Sequence, residues 1–289
     1  MNRKIVLLVC LNILLVINFV NAQTETSALP VVKAMTFNIR VDTILDGPNG
    51  WAFRRDKVLD IMRNQNADII GIQEGSHRQV EQIRDALPDY THYSPGPDSG
   101  MAGESCSIYF KSAGFTLKDS GTFWFSDTPD EQSGGWPKVC SWVYLTDKKT
   151  GVSFYVYNCH LSPFLAQGAR QREAELLAER IATRKTNDPV ILLGDFNMNV
   201  GNKAMDYLLN ADGQTAFPKM TDAWQTLNDT KGPKYDHIIL NEDAKAIDIK
   251  VDYTKASDHY AIIAEIQINV PKKTPIVAEQ SNVNKVSVN

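Results

Sequence analysis

The chain has 289 residues, a sequence pI near 5.8 and a formal net charge of −4, and 43% of its residues are hydrophobic. This length is enough for one large domain or two small ones with a sizeable apolar core. The acidic balance excludes a broad basic face of the kind that wraps nucleic acid, although it leaves metal-assisted nuclease chemistry open.

The first 22 residues predict a secretory signal peptide. Arg3 and Lys4 give a positive start, residues 5–20 are almost purely apolar, and the small residue Ala22 offers a cleavage site. A membrane anchor is the alternative, but the apolar run is short for a spanning helix, and Cys10 lies inside that run rather than at a lipoprotein site. We therefore expect an exported protein, periplasmic or extracellular, without stable membrane insertion.

Three cysteines follow the signal peptide: Cys106, Cys140 and Cys159. An odd number gives no disulfide framework, and the absence of a Cys-x-x-Cys pair argues against a thiolate zinc site. Each cysteine lies in an apolar run, which predicts small buried thiols.

Strand and helix patterns alternate between polar ends at residues 23–30 and 271–289, which we interpret as flexible termini. Apolar runs predict strands at residues 31–39, 67–73, 105–111, 114–125, 139–146, 151–161, 189–193, 235–240, 246–251 and 260–268. Apolar residues at helical spacing predict helices at residues 56–65, 77–87, 167–184 and 202–209. The mixture of hairpins and intervening helices predicts an α/β fold of stacked β-sheets flanked by helices. Because no repeat or linker divides the chain, we expect one domain over residues 31–270.

Five short polar motifs adjoin apolar runs, and each places an Asn, Glu, Asp or His at the end of a predicted strand. Oxygen ligands and imidazoles gathered at strand ends suit a hard divalent cation and a phosphoester. The motifs are Phe-Asn-Ile-Arg (37–40), Ile-Gln-Glu (72–74), Asn-Cys-His-Leu (158–161), Gly-Asp-Phe-Asn (194–197) and Ser-Asp-His (257–259).

The carboxylates and amides in these motifs have two interpretations each. Asp195 and Asn197 share one face if strand geometry continues. Asp195 could then accept a proton from a water molecule or hold it in line, and the Asn197 amide could bond the same water or a phosphate oxygen; the alternative is an Asx turn. Glu74 follows a buried strand, where a carboxylate is costly unless it is paired or bound to a metal. An exposed Glu at a strand end is nevertheless common, and Asn38 alone would be a turn residue.

The histidines also have two interpretations. Asp258 and His259 are adjacent and would project to opposite sides of a strand, so that one faces a metal and the other a phosphate. Asp236 could fix the tautomer of a histidine, unless it is a turn residue before a strand. A buried histidine with satisfied hydrogen bonds is the alternative for His160 and for His259.

Together, the motifs resemble the endonuclease/exonuclease/phosphatase superfamily, which includes pancreatic-type deoxyribonucleases, sphingomyelinases, inositol-polyphosphate 5-phosphatases and deadenylases. The resemblance spans about residues 31–268. It is strongest to a secreted bacterial branch, which has a Trp followed by paired basic residues (Trp51, Arg54 and Arg55) and a Gly-Thr-Phe-Trp strand (121–124). The resemblance implies a DNase I-like, four-layered α/β sandwich, with two packed mixed β-sheets flanked by helices.

The resemblance also implies residue roles at the metal and at the attacking water. Asn38 and Glu74 match the metal pair, with Glu74 as the principal ligand of Mg²⁺ or Mn²⁺. Asp258 matches a further acidic residue of the metal region. Asp195 matches the residue that orients or deprotonates the attacking water, and Asn197 matches its partner on the phosphate.

Two histidines complete the implied site. His259 matches the histidine that binds the scissile phosphate, and Asp236 matches the carboxylate that orients it. His160 matches the second histidine of the deoxyribonuclease-like and phosphatase-like branches and argues against the abasic-site repair branch. Glu104 matches the acid that pairs with this second histidine.

Lys138 and Lys234 depart from the family, in which Arg often stands at these positions. Lys supplies charge but no planar, bidentate fork for a phosphate, so we expect the substrate to be held differently here. The stretch between residues 197 and 236 is also short, which would open or trim one wall of the pocket.

We therefore expect a secreted, monomeric, Mg²⁺- or Mn²⁺-dependent phosphodiesterase or phosphatase that uses in-line attack of water. Phosphorylated small molecules or lipid headgroups are the expected substrates. A secreted endonuclease or exonuclease on DNA or RNA is one alternative. A non-catalytic binding protein with the same fold is another, and the intact motif residues argue against it.

Overall fold

The computed structural model describes residues 29–95, 103–131, 138–163, 165–210, 213, 217–228, 230 and 232–270. The predicted signal peptide, residues 23–28 and the predicted C-terminal tail lie outside the described residues. Within the described part of the chain, no helix is long and apolar enough to cross a membrane. Cys106, Cys140 and Cys159 are buried and free, as predicted.

Two six-stranded sheets make up the centre of the described structure. The strands are β1 (Val31–Asn38), β2 (Ile69–Gly75), β3 (Tyr90–Tyr93), β4 (Ser105–Lys111), β5 (Phe115–Trp124), β6 (Val139–Asp147), β7 (Ser153–His160), β8 (Val190–Asp195), β9 (Met220–Asp222), β10 (Asp236–Asn241), β11 (Ala244–Asp252) and β12 (Ala261–Ile268). The helices are α1 (Trp51–Gln65), α2 (His77–Ala86), α3 (Gln167–Ala182), α4 (Lys203–Leu208) and α5 (Ala223–Leu227), and a 3₁₀ segment, Ile44–Asn49, precedes α1.

Each sheet contains one parallel pair of strands among antiparallel neighbours. The first sheet has the order β11-β12-β1-β2-β4-β3, and the second has the order β5-β6-β7-β8-β10-β9. The parallel pairs are β1 with β2 and β7 with β8. Because paired parallel strands end at the same edge of a sheet, this topology collects the polar residues that follow their apolar runs.

Because successive side chains of a strand point to opposite faces of its sheet, the two sheets and the helices on their outer faces form four layers. Ile69 of the first sheet and Leu193 of the second belong to one core between the sheets, whereas their neighbours Ile70 and Leu192 face outward. Helices α1 and α2 cover the outer face of the first sheet, and α3 and α4 cover that of the second. The predicted α/β sandwich of two mixed sheets flanked by helices is confirmed.

A buried amide joins the two sheets beneath their polar edge. Asn158 on β7 donates to the carbonyls of Ile72 and Ser107 at 2.8 and 2.9 Å, and its own oxygen accepts from Gln73 at 2.6 Å. A Cβ atom at Gly71 would lie 2.9 Å from the Asn158 side chain, so glycine is needed there. Asn158 thus stabilises the packing of the sheets, which explains its place in the third motif.

Several element boundaries differ from the sequence prediction. Helix α1 begins at Trp51 rather than at residue 56, because the Trp51 indole is buried and donates to Gln82 at 2.7 Å. The short elements β3, β9 and α5 were not predicted, since three to five residues carry too little periodicity to detect. The Ser-Asp-His motif lies in a bend before β12, so the strand geometry expected for Asp258 and His259 is wrong.

Candidate active site

Polar side chains from both sheets meet at the edge where the parallel pairs end. In the strand register, His160 on β7 lies beside Asp195 on β8, and Asp236 lies beside Asp195 from the antiparallel strand β10. Asn38 ends β1, and Glu74 lies near the end of β2. All of these residues except Glu74 are less than one-tenth exposed, so their interactions take place largely out of water.

Asn38 connects the carboxylates of the two sheets. Its Nδ2 donates to Glu74 Oε1 at 2.9 Å and to Asp195 Oδ2 at 3.0 Å. Its Oδ1 accepts from the Arg40 backbone at 2.9 Å, and the Val41 backbone donates to Glu74 Oε2 at 2.9 Å. The loop after β1 therefore holds both members of the predicted metal pair.

The position of Glu74 depends on an irregular backbone. Glu74 has φ 61°, and the register between β2 and β4 shifts between Ile72 and Gly75. A bulge of this kind redirects a side chain, and left-handed φ values in non-glycine residues are strained and concentrate at functional sites. The bulge thus directs the carboxylate toward the opposite sheet.

Two histidines face the Asp195 carboxylate. His160 Nε2 and His259 Nε2 lie 3.6 and 3.8 Å from Asp195 Oδ2. Asp236 Oδ2 lies 2.7 Å from His259 Nδ1, while Asp236 Oδ1 is buried and has no hydrogen-bond partner among the described residues. The Asp236–His259 contact has the geometry that the sequence predicted for an orienting carboxylate.

Burial and neighbouring charge set three protonation states. Burial, aided by the charge of Asp236, raises the pKa of Asp195 to about 6. Burial lowers the pKa of His259, but the hydrogen bond and charge of Asp236 outweigh it and raise that pKa to about 9. Burial and the charge of Lys138 hold the pKa of His160 well below its usual value. Near pH 7 the site therefore contains ionised Asp195, protonated His259 and neutral His160.

Lys138 lies between His160 and Glu104. Its Nζ is 3.2 Å from His160 Nδ1 and 3.7 Å from Glu104 Oε2, whereas Glu104 Oε2 is 4.0 Å from His160 Nδ1. The predicted pairing of Glu104 with His160 is thus a contact through the Lys138 ammonium rather than a direct hydrogen bond. Burial raises the pKa of Glu104.

Asp258 lies at the rim of the site rather than at its centre. Its side chain is 51% exposed, and its Oδ2 accepts from Arg40 Nη1 at 2.8 Å. Arg40 also binds Asp46 at 2.7 Å. Sequence reasoning did not select Arg40, although it closes the first motif and brings a guanidinium to the metal region.

Arg54 supports the loop that carries Arg40. It is 7% exposed and donates to the backbone carbonyls of Ile39, Arg40, Val41 and Asn49. Arg55, whose side chain is 41% exposed, binds its neighbour Asp56 at 2.9 Å. Of the two basic residues after Trp51, the first is therefore the one that serves the site.

Asn197 does not share a strand face with Asp195, because the strand ends at Asp195 and Asn197 has φ 52°. Its backbone donates to Asp195 Oδ1 at 2.9 Å, which is the Asx turn considered as the alternative, and its Nδ2 donates to the Leu161 carbonyl at 2.9 Å. The expectation of a continued strand is wrong. Asn197 instead fixes the Asp195 carboxylate and the end of β7.

His237 is a further supporting residue that sequence reasoning missed. Its Nδ1 lies 2.8 Å from Asp222 Oδ2, and its Nε2 lies 2.9 Å from the Met198 carbonyl. The ring ties the loop after Asp195 to the start of α5, where Asp222 accepts from Gln225. Its position next to Asp236 was the only sequence signal.

The donor atoms at this edge fit a metal ion. Glu74, His160 and Asp195 offer ligand atoms that all lie within 4.8 Å of one another, and so do Asp195, Asp236 and His259. The two carboxylates of the first group supply the oxygen ligands that hard cations prefer, whereas the predicted ligand Asn38 presents its Nδ2 to both of them. His259 Nδ1 already bonds to Asp236, so His259 is better suited to donate from Nε2 to an anionic substrate oxygen than to bind a metal.

The fold and the site are those of a class of proteins that includes phosphoester hydrolases. The chain belongs to the Endonuclease/Exonuclease/phosphatase family, whose match covers residues 35–259 and confirms the predicted superfamily. Enzymes of this family depend on divalent metal ions, in agreement with the donor set.

Several solved structures resemble the whole domain. One is an endonuclease/exonuclease/phosphatase from Bacteroides vulgatus, at 27% identity and TM-score 0.74, covering 83% of this chain and 100% of that chain. Another is a mannosyl-6-phosphatase from Bacteroides thetaiotaomicron, at 26% identity and TM-score 0.70, covering 81% of this chain and 99% of that chain.

Curated relatives match more partially. An uncharacterized protein of Acanthamoeba polyphaga mimivirus is 28% identical over 160 residues, which are 51% of this chain and 59% of that protein. The 3'-5'-exoribonuclease subunit of the CCR4-Not complex from Aspergillus fumigatus is 31% identical over 134 residues, 38% of this chain and 19% of the subunit. The chain thus spans less than two thirds of these relatives.

Proposed function

We propose that this protein is an exported, monomeric phosphatase or phosphodiesterase that uses Mg²⁺ or Mn²⁺ and acts on phosphorylated small molecules. The observation that carries the proposal is the buried Asp195 carboxylate, held by Asn38 and faced by a neutral and a protonated histidine. Similarity to a mannosyl-6-phosphatase supports a small substrate. The apolar run at residues 5–20 supports export.

Glu74 would hold the cation, and the Asn38 amide would hold the Glu74 and Asp195 carboxylates in place beside it. A bound divalent ion neutralises phosphate oxygens and the leaving alkoxide, which is chemistry that protein side chains supply poorly. The Val41 backbone bond to Glu74 and the Arg40 backbone bond to Asn38 fix Glu74 and its amide partner before substrate arrives.

Asp195 accepts the proton of the attacking water. A general base works best when its pKa lies near the operating pH, and a pKa of about 6 leaves Asp195 ionised at pH 7 while keeping it basic. The Asn38 amide and the Asn197 backbone each bond one carboxylate oxygen and fix its orientation.

The protonated His259 stabilises negative charge that develops on the phosphate oxygens. Asp236 keeps this ring charged and oriented through Nδ1, so that Nε2 points at the Asp195 side of the site. His160 is neutral and can donate one hydrogen bond, and the Lys138 ammonium beside it adds positive charge. Preorganised donors of this kind are a major source of rate acceleration.

A nuclease is the second candidate function, and similarity to an exoribonuclease subunit favours it. The net charge of −4 argues for the small-molecule substrate, because nucleic-acid binding depends mainly on neutralising backbone phosphates.

A substrate panel tests the proposal. Sugar phosphates, p-nitrophenyl phosphate, bis-p-nitrophenyl phosphate, sphingomyelin and plasmid DNA are incubated with Mg²⁺, Mn²⁺ or EDTA. We expect metal-dependent hydrolysis of the small esters, loss of activity in Asp195→Asn, and normal activity in Asp56→Asn, the same change at an exposed carboxylate. Faster cleavage of DNA than of any small ester would favour the nuclease, and hydrolysis that persists in Asp195→Asn would refute the mechanism.

A further inference from the structure

A cavity of about 480 Å³ opens directly beside His259. Its wall includes Asp236, Asp258 and His259, so it is continuous with the phosphate side of the active site. The proposed chemistry uses the side chains at this junction and leaves the remainder of the cavity without a role. A volume of this size suits a small organic ligand.

Two exposed tyrosines form the outer part of this cavity. Tyr253 is 72% exposed and Tyr260 is 41% exposed, and their ring centroids are 5.3 Å apart with an interplanar angle of 68°. They flank the bend that carries Asp258 and His259, between β11 and β12. The same short segment therefore fixes both the phosphate-facing histidine and the aromatic pair.

Two further aromatic residues belong to the wall of this cavity. Trp224 and Tyr235 contribute to its wall, and the Lys234 ammonium lies 5.2 Å from the centroid of the Tyr235 ring. The structure thus places Lys234 at this cavity, whereas Lys138 contacts His160. Exposed ring faces next to a reaction centre suit a ligand that also has a flat or apolar ring face.

We propose that this cavity, which we call the ring subsite, binds the alcohol part of a small phosphoester by stacking a ring against Tyr253 and Tyr260. The inference rests on the proposed function, because the phosphate of the same substrate lies at His259. The ligand class is a phosphorylated cyclic compound, either a hexose phosphate or a nucleotide. Both present a ring face to an aromatic side chain, and an acyclic ester such as glycerol 3-phosphate does not.

A binding experiment tests the subsite independently of turnover. Glucose 6-phosphate, adenosine monophosphate and glycerol 3-phosphate are titrated calorimetrically into Asp195→Asn protein with Mg²⁺, with and without Tyr253→Ala or Tyr260→Ala. We expect at least one ring-bearing ligand to bind more tightly than glycerol 3-phosphate and to lose about tenfold in affinity in each alanine variant. Tyr253→Phe and Tyr260→Phe should retain the affinity, because they keep the ring.

Phe53→Ala is the matched control, because Phe53 is an exposed ring on α1, 74% exposed and outside the cavity. The ring-bearing ligand that loses more affinity in the tyrosine variants shows whether the subsite binds a hexose or a nucleoside. Equal binding of ring-bearing and acyclic esters, or equal losses for both in the tyrosine variants, would overturn the ring subsite. Ring-selective binding in a protein whose wild type hydrolyses none of these esters would overturn the proposed function alone.

Discussion

The reaction centre and the ring subsite share His259 but differ in how their side chains are held. Asn38 and Asp195 are at most 1% exposed and end strands of opposite sheets, where a hydrogen bond joins them. Tyr253 and Tyr260 are exposed and flank a bend. Chemistry that needs fixed distances is therefore built on strand ends, while a surface that selects the substrate is built on a loop that can change.

The largest expected effect is the loss of the base at the reaction centre. Asp195→Asn should lower kcat by about a thousandfold or more, because the amide keeps the shape of the side chain but accepts no proton. Steady-state kinetics on a small ester with Mg²⁺ would measure this loss. Circular dichroism and thermal unfolding should show an intact fold. A variant that retains a tenth of the wild-type kcat would remove Asp195 from the role of base.

The metal-free protein should lose stability as the pH rises from 6.5 through 9. The folded-state pKa of His259, about 9, exceeds its ordinary value of 6.5, so its contribution is fully present below pH 6.5 and disappears as pH passes 9. The loss in unfolding free energy should reach about 3 kcal/mol. Urea unfolding in EDTA at several pH values measures it. His259→Gln should show a flatter profile over this window, and an equally steep profile would contradict the assignment.

The substitution Asp236→Asn tests whether Asp236 acts on the charge and orientation of the His259 ring or only on packing. Removing the carboxylate should lower the pKa of His259, since Asp236 is the main group that raises it. We expect kcat to fall about a hundredfold and the alkaline limb of the pH–rate profile to move to lower pH. A lower kcat with an unmoved alkaline limb would show that Asp236 acts only through packing.

The smallest expected effect is a difference in unfolding free energy between variants of two adjacent arginines on α1. Arg54→Met should cost about 2 kcal/mol or more of unfolding free energy, because several backbone carbonyls lose a buried donor. It should also weaken Mg²⁺ binding, since the loop that fixes Glu74 would loosen. Arg55→Ala is the control and should change stability by less than about 0.5 kcal/mol, because its ion pair is exposed. If thermal unfolding shows that both variants lose the same stability, the distinction between the two arginines is contradicted.

Much of the fold was predictable, because burial leaves a local mark in the sequence. The apolar run before Asp195 predicted β8, and the alternation of strand and helix patterns predicted the sandwich. The site residues were selected as polar groups beside such runs. The sequence left open whether Asn197 continues the strand or forms a turn, and it did not predict that Asp258 pairs with Arg40. Both depend on backbone conformation and on contacts distant in the chain.

His237 and the two tyrosines of the ring subsite escaped sequence reasoning for a related reason. A histidine inside a strand gives no sign of which acceptors its two nitrogens will meet, and an isolated Tyr gives no sign that it stays exposed. Asp222, Met198 and His237 come together only when β9, β10 and the loop after β8 are assembled.

The sequence by itself determined the order of the strands along the chain and the polar residues that end them, because a strand that is buried must be apolar wherever it lies. The tertiary structure decided which of those ends meet. Asn38 and Asp195 are 157 residues apart and bond at 3.0 Å because two sheets pack face to face. That packing also removes water from the site, and the resulting burial raises the pKa of Asp195 toward the range where a carboxylate can act as a base.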